Sequence, residues 1–300
     1  MPAQIGKLFP LGGPVPPDLM IGRVGEREEL ERRLSAGMST MLVGPRRAGK
    51  TTVCEAACDA LAHHGYTVFD IEVPERADSA ALLQLMVDRA TRISLSDEAG
   101  AVARTLRPMV ERFLEDKGIP LDLSALGKDA RPATARTILG LPLELARHRR
   151  KPMILFLDEL QRAVSYADGD EILTDLVDLY RAAGDVVVLV DGSDERTLDG
   201  MLGESLHFGK LVDRQALDPR IPLTTWRGPL TERFAAAGLE LPDAQRERLL
   251  AWSDGVVYPT MAAARFTAFS AHKTDAVTIT DFDLEMGLDE AHRHLDDDGA

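Results

Sequence analysis

The stretch "GPRRAGKT" (44–51) sets two glycines, a lysine and a threonine at the spacing G-x-x-x-x-G-K-[ST], filled by Gly44, Gly49, Lys50 and Thr51. Each residue type serves one chemical end. Glycines let the backbone curl until successive N–H groups point inward at phosphate oxygens. A helix beginning at Lys50 adds its positive N-terminal end. Lys50 neutralises the outer phosphates, and the Thr51 hydroxyl suits Mg²⁺. The loop as a whole, with Pro45, Arg46, Arg47, Ala48 and Thr52, is therefore expected to hold a nucleoside triphosphate. A second stretch, "MILFLDELQ" (153–161), ends an apolar run on Asp158 and Glu159. Asp158 suits a Mg²⁺-bound water and Glu159 suits the orientation or deprotonation of an attacking water. A phosphotransferase acting on a small metabolite must keep water out, so an activating carboxylate at this point argues for hydrolysis.

These residues need elements to carry them. "STMLVG" reads as a short buried strand, and "KTTVCEAACDALAHH" follows it as a helix without Gly or Pro. "YTVFDIEV" (66–73), "PMILFLDE" (152–159) and "DVVVLVDGS" (185–193) are further apolar runs that read as strands. Continuous apolar strands alternating with helices predict an α/β fold with a parallel sheet covered on both faces. A first amphipathic helix is expected in "GRVGEREELERRLSAG". Residues 1–20, rich in Pro and Gly, read as an extended arm. About eighty residues of helical periodicity, broken near "GIPLDLSALGKDARP", separate the second and third long strands, more than one crossover helix requires. From Trp226 on, "PLTERFAAAG", "DAQRERLLAWS", "YPTMAAARFTAFSAH" and "DFDLEMGLDEAHRHL" predict four helices.

With both motifs in place, the sequence resembles the archaeal-type ATPases of the AAA+/STAND part of the P-loop superfamily, with origin-recognition initiators at greater distance. "MIGRVGEREEL", "LVGPRRAGKTT", "ILFLDELQ" and "VVVLVDGSDERTLDGML" carry the resemblance, which extends over residues 20–270. It implies a five-stranded core ordered 5-1-4-3-2, a helical lid over the nucleotide, and ATP with Mg²⁺ as ligands. It divides the chain into an arm (1–20), an ATPase core (21–225) with a helical insertion at 78–150, and a lid (226–300). By the same resemblance Ile21, Gly22 and Arg23 lie against the adenine, and Pro259 of "GVVYPTM" packs near the base. Ser193, with Asp191 as its rival, senses the γ-phosphate. The chain lacks the lid arginine found in many such proteins. For an arginine finger, relatives often show Phe/Tyr-Gly-Arg shortly before the fifth strand. Here "LHFGKLVDRQALDPRIPL" offers Arg214 first, then Lys210 and Arg220.

Composition narrows the partners. The chain has 35 basic and 49 acidic residues, a net charge of −14, which repels phosphate backbones and disfavours generic nucleic-acid binding. The dense basic run "RHRRK" (147–151) reads as a solvated helix end. No apolar run is long enough to span a membrane, and the first residues lack a secretion signal. Cys54 and Cys58 lie four apart on one helix with no metal-spaced partners, as reduced core thiols of a cytoplasmic protein would. Three functions follow: an ATP-driven conformational switch read by a protein partner through 78–150, an ATPase working on DNA, and a scaffold that binds nucleotide without hydrolysis. The acidic rather than basic end weighs against the second, and Glu159 against the third. A homo-oligomer is compatible with a finger acting on a neighbour.

Overall fold

The computed structural model describes residues 2–16, 19–75, 79–95, 111–112, 114–119, 131–203 and 208–297. The chain divides into two compact units, one made of Arg27–Val43 and Ala56–Ala216, the other of Met1–Glu26, Gly44–Glu55 and Leu217–Ala300.

The first unit is built on five strands, β1 (Thr40–Val43), β2 (Thr67–Glu72), β3 (Met153–Asp158), β4 (Val186–Gly192) and β5 (Asp213–Ala216). All neighbours pair in parallel, in the order β2-β3-β4-β1-β5, as expected. Burial follows position. The inner strands β1 and β4 are buried at every residue and β3 at all but Asp158, because helices cover both faces of a parallel sheet. The outer strand β2 alternates, with Asp70 and Glu72 exposed. β5, at the other edge, has no fully buried residue, and its charged Asp213 and Arg214 suit an edge.

Helices supply the rest of this core. In α7 (Gly169–Tyr180), Ile172, Leu173, Leu176, Val177 and Tyr180 form one buried stripe at helical spacing. The Tyr180 hydroxyl donates 2.6 Å to the carbonyl of Leu139, which ends α5 (Arg131–Leu139). The expected insertion contributes directly to this packing. Leu82 and Met86 of α4 (Ser79–Leu95), Ile138 of α5 and Leu145 of α6 (Leu141–Arg149) all join the sheet core. Residues 96–110 and 120–130 of that insertion lie outside the described residues. The basic end of α6 places Arg147, His148 and Arg149 in its last turn, where they face the negative end of the helix dipole.

The second unit is helical. α9 (Leu223–Ala236), α10 (Asp243–Ser253), α11 (Val257–Lys273) and α12 (Asp281–Asp297) are the four helices anticipated after Trp226. Trp226 is 1% exposed, and its indole N–H donates 3.1 Å to the Gly255 carbonyl. α11 and α12 pack so closely at Gly287 that any β-carbon there would overlap Thr267. The start of the chain departs from an extended arm. Pro2–Leu8 form helix α1, with Ile5 and the following Phe9 buried in the same core and Phe9 tilted against Phe234 at 5.0 Å. The apolar pair four residues apart, led by a proline that a first helical turn accepts, explains the helix.

Candidate functional site

The loop 44–49 follows β1 directly, and α3 (Lys50–His63) begins at its lysine. Gly44 has no room for a side chain, since a β-carbon would meet the Leu217 carbonyl at 2.8 Å. Arg47 (φ 66°) and Gly49 (φ 89°) take left-handed backbone, which turns the loop back on itself. The turn is closed by Ala48 N–H donating 3.2 Å to the Pro45 carbonyl. Lys50 is 5% exposed and donates 2.9 Å to that same carbonyl, so its ammonium is held inside the loop. Thr52 accepts 3.3 Å from the Val15 N–H, tying the proline-rich segment to the first turn of α3. Thr51 is half-buried and Arg46 exposed. The guanidinium of Arg47 lies 4.1 Å from the centre of the buried Tyr258 ring, whose hydroxyl is 2.9 Å from His294 Nε2 on α12.

The segment expected against the base is fixed from both ends. Ile21 is buried in the helical core, and Gly22 is left-handed (φ 66°), where a β-carbon would meet Ile221 at 2.9 Å. Arg23, also left-handed (φ 65°), is 6% exposed and spends its donors within the fold. Its Nη2 donates 2.6 Å to the Asp218 carbonyl and 3.3 Å to the Ala48 carbonyl, and its Nη1 donates 2.8 Å to Glu26. Pro259 is half-buried in the first turn of α11, where its missing N–H costs nothing.

The acidic residues stand at the carboxyl ends of two neighbouring strands in the other unit. Asp158 closes β3, and Asp191, fully buried, lies near the end of β4. Burial raises the Asp158 carboxyl above its ordinary value, opposed by a bond shared with Asp191 and reinforced by the charges of Glu159 and Glu72. Its Oδ1 is buried with no hydrogen-bond partner among the described residues. Glu159 is left-handed (φ 56°) and starts the short 3₁₀ turn Leu160–Ser165. Its Oε2 accepts 3.0 Å from the Ser193 hydroxyl and a second bond from Gln161 Nε2. Ser193 and Glu159 are thus brought together.

A family model described as an AAA domain matches residues 32–196. The chain belongs to the AAA domain family. The family and the P-loop NTPase fold are those the four sequence stretches implied. Its fold is shared with a Walker-type ATPase of Pyrococcus abyssi (17% identity over 95% of this chain and 75% of that one, TM-score 0.61). It is shared also with the ORC2 protein of Aeropyrum pernix in ADPNP–ADP complexes (17%, covering 95% and 71%, TM-score 0.63). A third is the ORC1 protein of Aeropyrum pernix in complex with DNA (14%, covering 94% and 68%, TM-score 0.61). No curated protein matches the chain.

The arginine-finger candidates of this AAA domain sit in three settings. Arg214 lies within β5 rather than ahead of it, exposed, with Nε donating 2.9 Å to Asp199 on α8 (Glu195–Leu202). Lys210 ends a short 3₁₀ turn and is exposed. Arg220 donates 2.8 Å to Asp254. One buried cation escaped the sequence reading. Arg233 on α9 is 9% exposed and bonds the Leu19 carbonyl and the Met261 sulfur, and burial lowers its pKa. Its place on the stripe Trp226, Leu230, Phe234 was the available signal. Among the described residues no helix is long and apolar enough to cross a membrane.

Proposed function

We propose that this AAA domain binds ATP with Mg²⁺, hydrolyses it, and presents its nucleotide state to a macromolecular partner. The observation that carries the reading is the end of β3. There a buried carboxylate oxygen of Asp158 has no hydrogen-bond partner among the described residues, and the next residue, Glu159, is held by Ser193, which follows the adjoining strand. β1, which leads into the phosphate loop, is the neighbour of β4, and β4 of β3.

The loop amides, the start of α3 and Lys50 would bind the phosphates, and the Ile21–Arg23 backbone and Pro259 would flank the base. Because the Arg23 guanidinium is bonded elsewhere, it contributes to the base site by holding the loop. The Asp158 oxygen, buried with no hydrogen-bond partner among the described residues, and the Thr51 hydroxyl are hard oxygen ligands of the kind Mg²⁺ takes, so the residues fit this ion. When bound, Mg²⁺ neutralises charge that develops on the phosphate oxygens. Glu159 orients a water and takes its proton as the water oxygen bonds to the γ-phosphorus. The bond to the bridging oxygen breaks, and its electron pair leaves with ADP. Ser193 holds the glutamate and senses the γ-phosphate. A cytoplasmic site of action is consistent with Cys54 and Cys58, buried and outside any disulfide.

Calorimetry and turnover of Glu159→Gln test the reading. ATP should bind with wild-type affinity while turnover falls about 10²–10⁴-fold. Turnover within twofold of wild type would remove Glu159 as the base. A second reading, action on DNA, is favoured by one comparison, the fold shared with an ORC1 protein in complex with DNA. The net charge of −14 opposes it, and DNA retention that falls steeply with salt would establish it.

A further inference from the structure

We infer that Gln161 is the positioning residue for Glu159, and that Gly192 is glycine in order to admit it; the inference rests on the hydrolytic reading above. Glu159 is a non-glycine residue in left-handed backbone, a conformation that L side chains rarely adopt. The Glu159 carboxylate is held by two groups. Gln161, two residues on and 9% exposed, turns its carboxamide back so that Nε2 donates to Glu159 Oε2, the same oxygen that accepts from Ser193. Both donors therefore converge on one oxygen, and Oε1 stands outside these two bonds as the proton acceptor.

The carboxamide is lodged at the end of β4. A β-carbon on Gly192 would overlap Gln161 Oε1, would come within 2.9 Å of its Cδ, and would touch Leu198 at 3.1 Å. The position after the buried Asp191 thus holds the glutamine's amide where any other residue would hold its own side chain. The arrangement is poor for stability. Gln161 Oε1 is buried with no hydrogen-bond partner among the described residues, a state that lowers stability. An apolar side chain of equal length would pack the slot without that cost. Glutamine is therefore kept for what its N–H₂ does, which is to aim Glu159.

That difference supplies the test. Gln161→Met keeps the volume and removes the donor. It should unfold at the wild-type temperature or above, while kcat falls about 10- to 100-fold and KM for ATP stays within about twofold. Gly192→Ala should lower kcat similarly by evicting the amide. Gly192→Ala combined with Gln161→Ala should be no worse than the more impaired single variant, since both act on one contact. Wild-type kcat in Gln161→Met, lowered stability with unchanged kcat, or fully additive losses in the double variant would overturn the inference. Glu159→Gln separates the two levels. An inactive Glu159→Gln beside a fully active Gln161→Met sinks this inference alone, whereas an active Glu159→Gln sinks the hydrolytic reading beneath it.

Discussion

Nη2 of Arg23 donates to the carbonyl of Ala48, so a buried arginine outside the phosphate loop holds the loop's own backbone. The same atom reaches the Asp218 carbonyl at 2.6 Å. Arg23→Met fills the space but strands two backbone acceptors, and should destabilise the protein by about 2–3 kcal/mol. Denaturant unfolding with an unchanged midpoint would show that the bonds carry no net energy. ATP affinity should fall as well, because the loop loses its tether.

Lys50→Ala should abolish ATP binding and leave the fold intact. The ammonium donates to the Pro45 carbonyl within its own loop, so the stability change should stay within about 1 kcal/mol. Micromolar ATP affinity in calorimetry of this variant would contradict the assignment of the loop.

Arg214 is paired with Asp199 on an exposed edge strand, an arrangement that contributes about 0–1 kcal/mol. Arg214→Ala should therefore unfold like wild type. Its effect should lie in turnover, and only where a neighbouring copy receives the guanidinium. Specific activity of the wild type should rise with protein concentration, and the variant should flatten that rise. Mixing it with Glu159→Gln should restore part of the activity. Constant activity over a hundredfold dilution would make the protein act as a monomer, and Lys210→Ala and Arg220→Ala are the companion variants.

Asp283 makes a capping box with Thr280, accepting from the Thr280 N–H at 3.1 Å and hydroxyl at 2.6 Å, while the Asp283 N–H donates 3.2 Å to Thr280 Oγ1. Burial alone would raise its pKa. The bonds from Thr280, Thr274 and Ser270 outweigh it and hold the carboxyl below its unperturbed 3.8. A depressed carboxyl stabilises above the unfolded value and loses that contribution as pH falls through the folded one. Asp283→Asn should cost about 1–2 kcal/mol near pH 7, and the gap should close below about pH 4. A gap independent of pH would mean that shape, not charge, is what Asp283 supplies.

The sheet and the two motifs were legible because their signals are local. β3 and β4 are unbroken apolar runs, and the loop's glycines and lysine are spaced by the ligand they suit. β5 was not legible as a strand from its residues, since "DRQA" is polar and exposed and pairs only with β1. Arg214 was accordingly read as preceding the fifth strand when it lies inside it. α1 was hidden by the prolines and glycines around it, although Ile5 and Phe9 carried the pattern. What Arg23 and Gln161 do was beyond the sequence for another reason. The Arg23 acceptors at Ala48 and Asp218 are backbone carbonyls, which leave no mark in residue types, and Gln161 meets Gly192 only through the fold.

The pairing of β1 also fixes a timetable for assembly. Thr40 lies beside Leu189 on one side and Asp213 on the other, so the strand made first waits for the two made last. β2 and β3 can zip together earlier, but the middle of the sheet stays open until residue 192 completes β4, and β1 lacks its second neighbour until residue 216 completes β5. During that interval the apolar "TMLV" has no mate and is a target for chaperones or for a wrong edge. The loop that follows β1 takes its shape only when the strand is locked in. Chains truncated before residue 186 leave β1 without either of its neighbours.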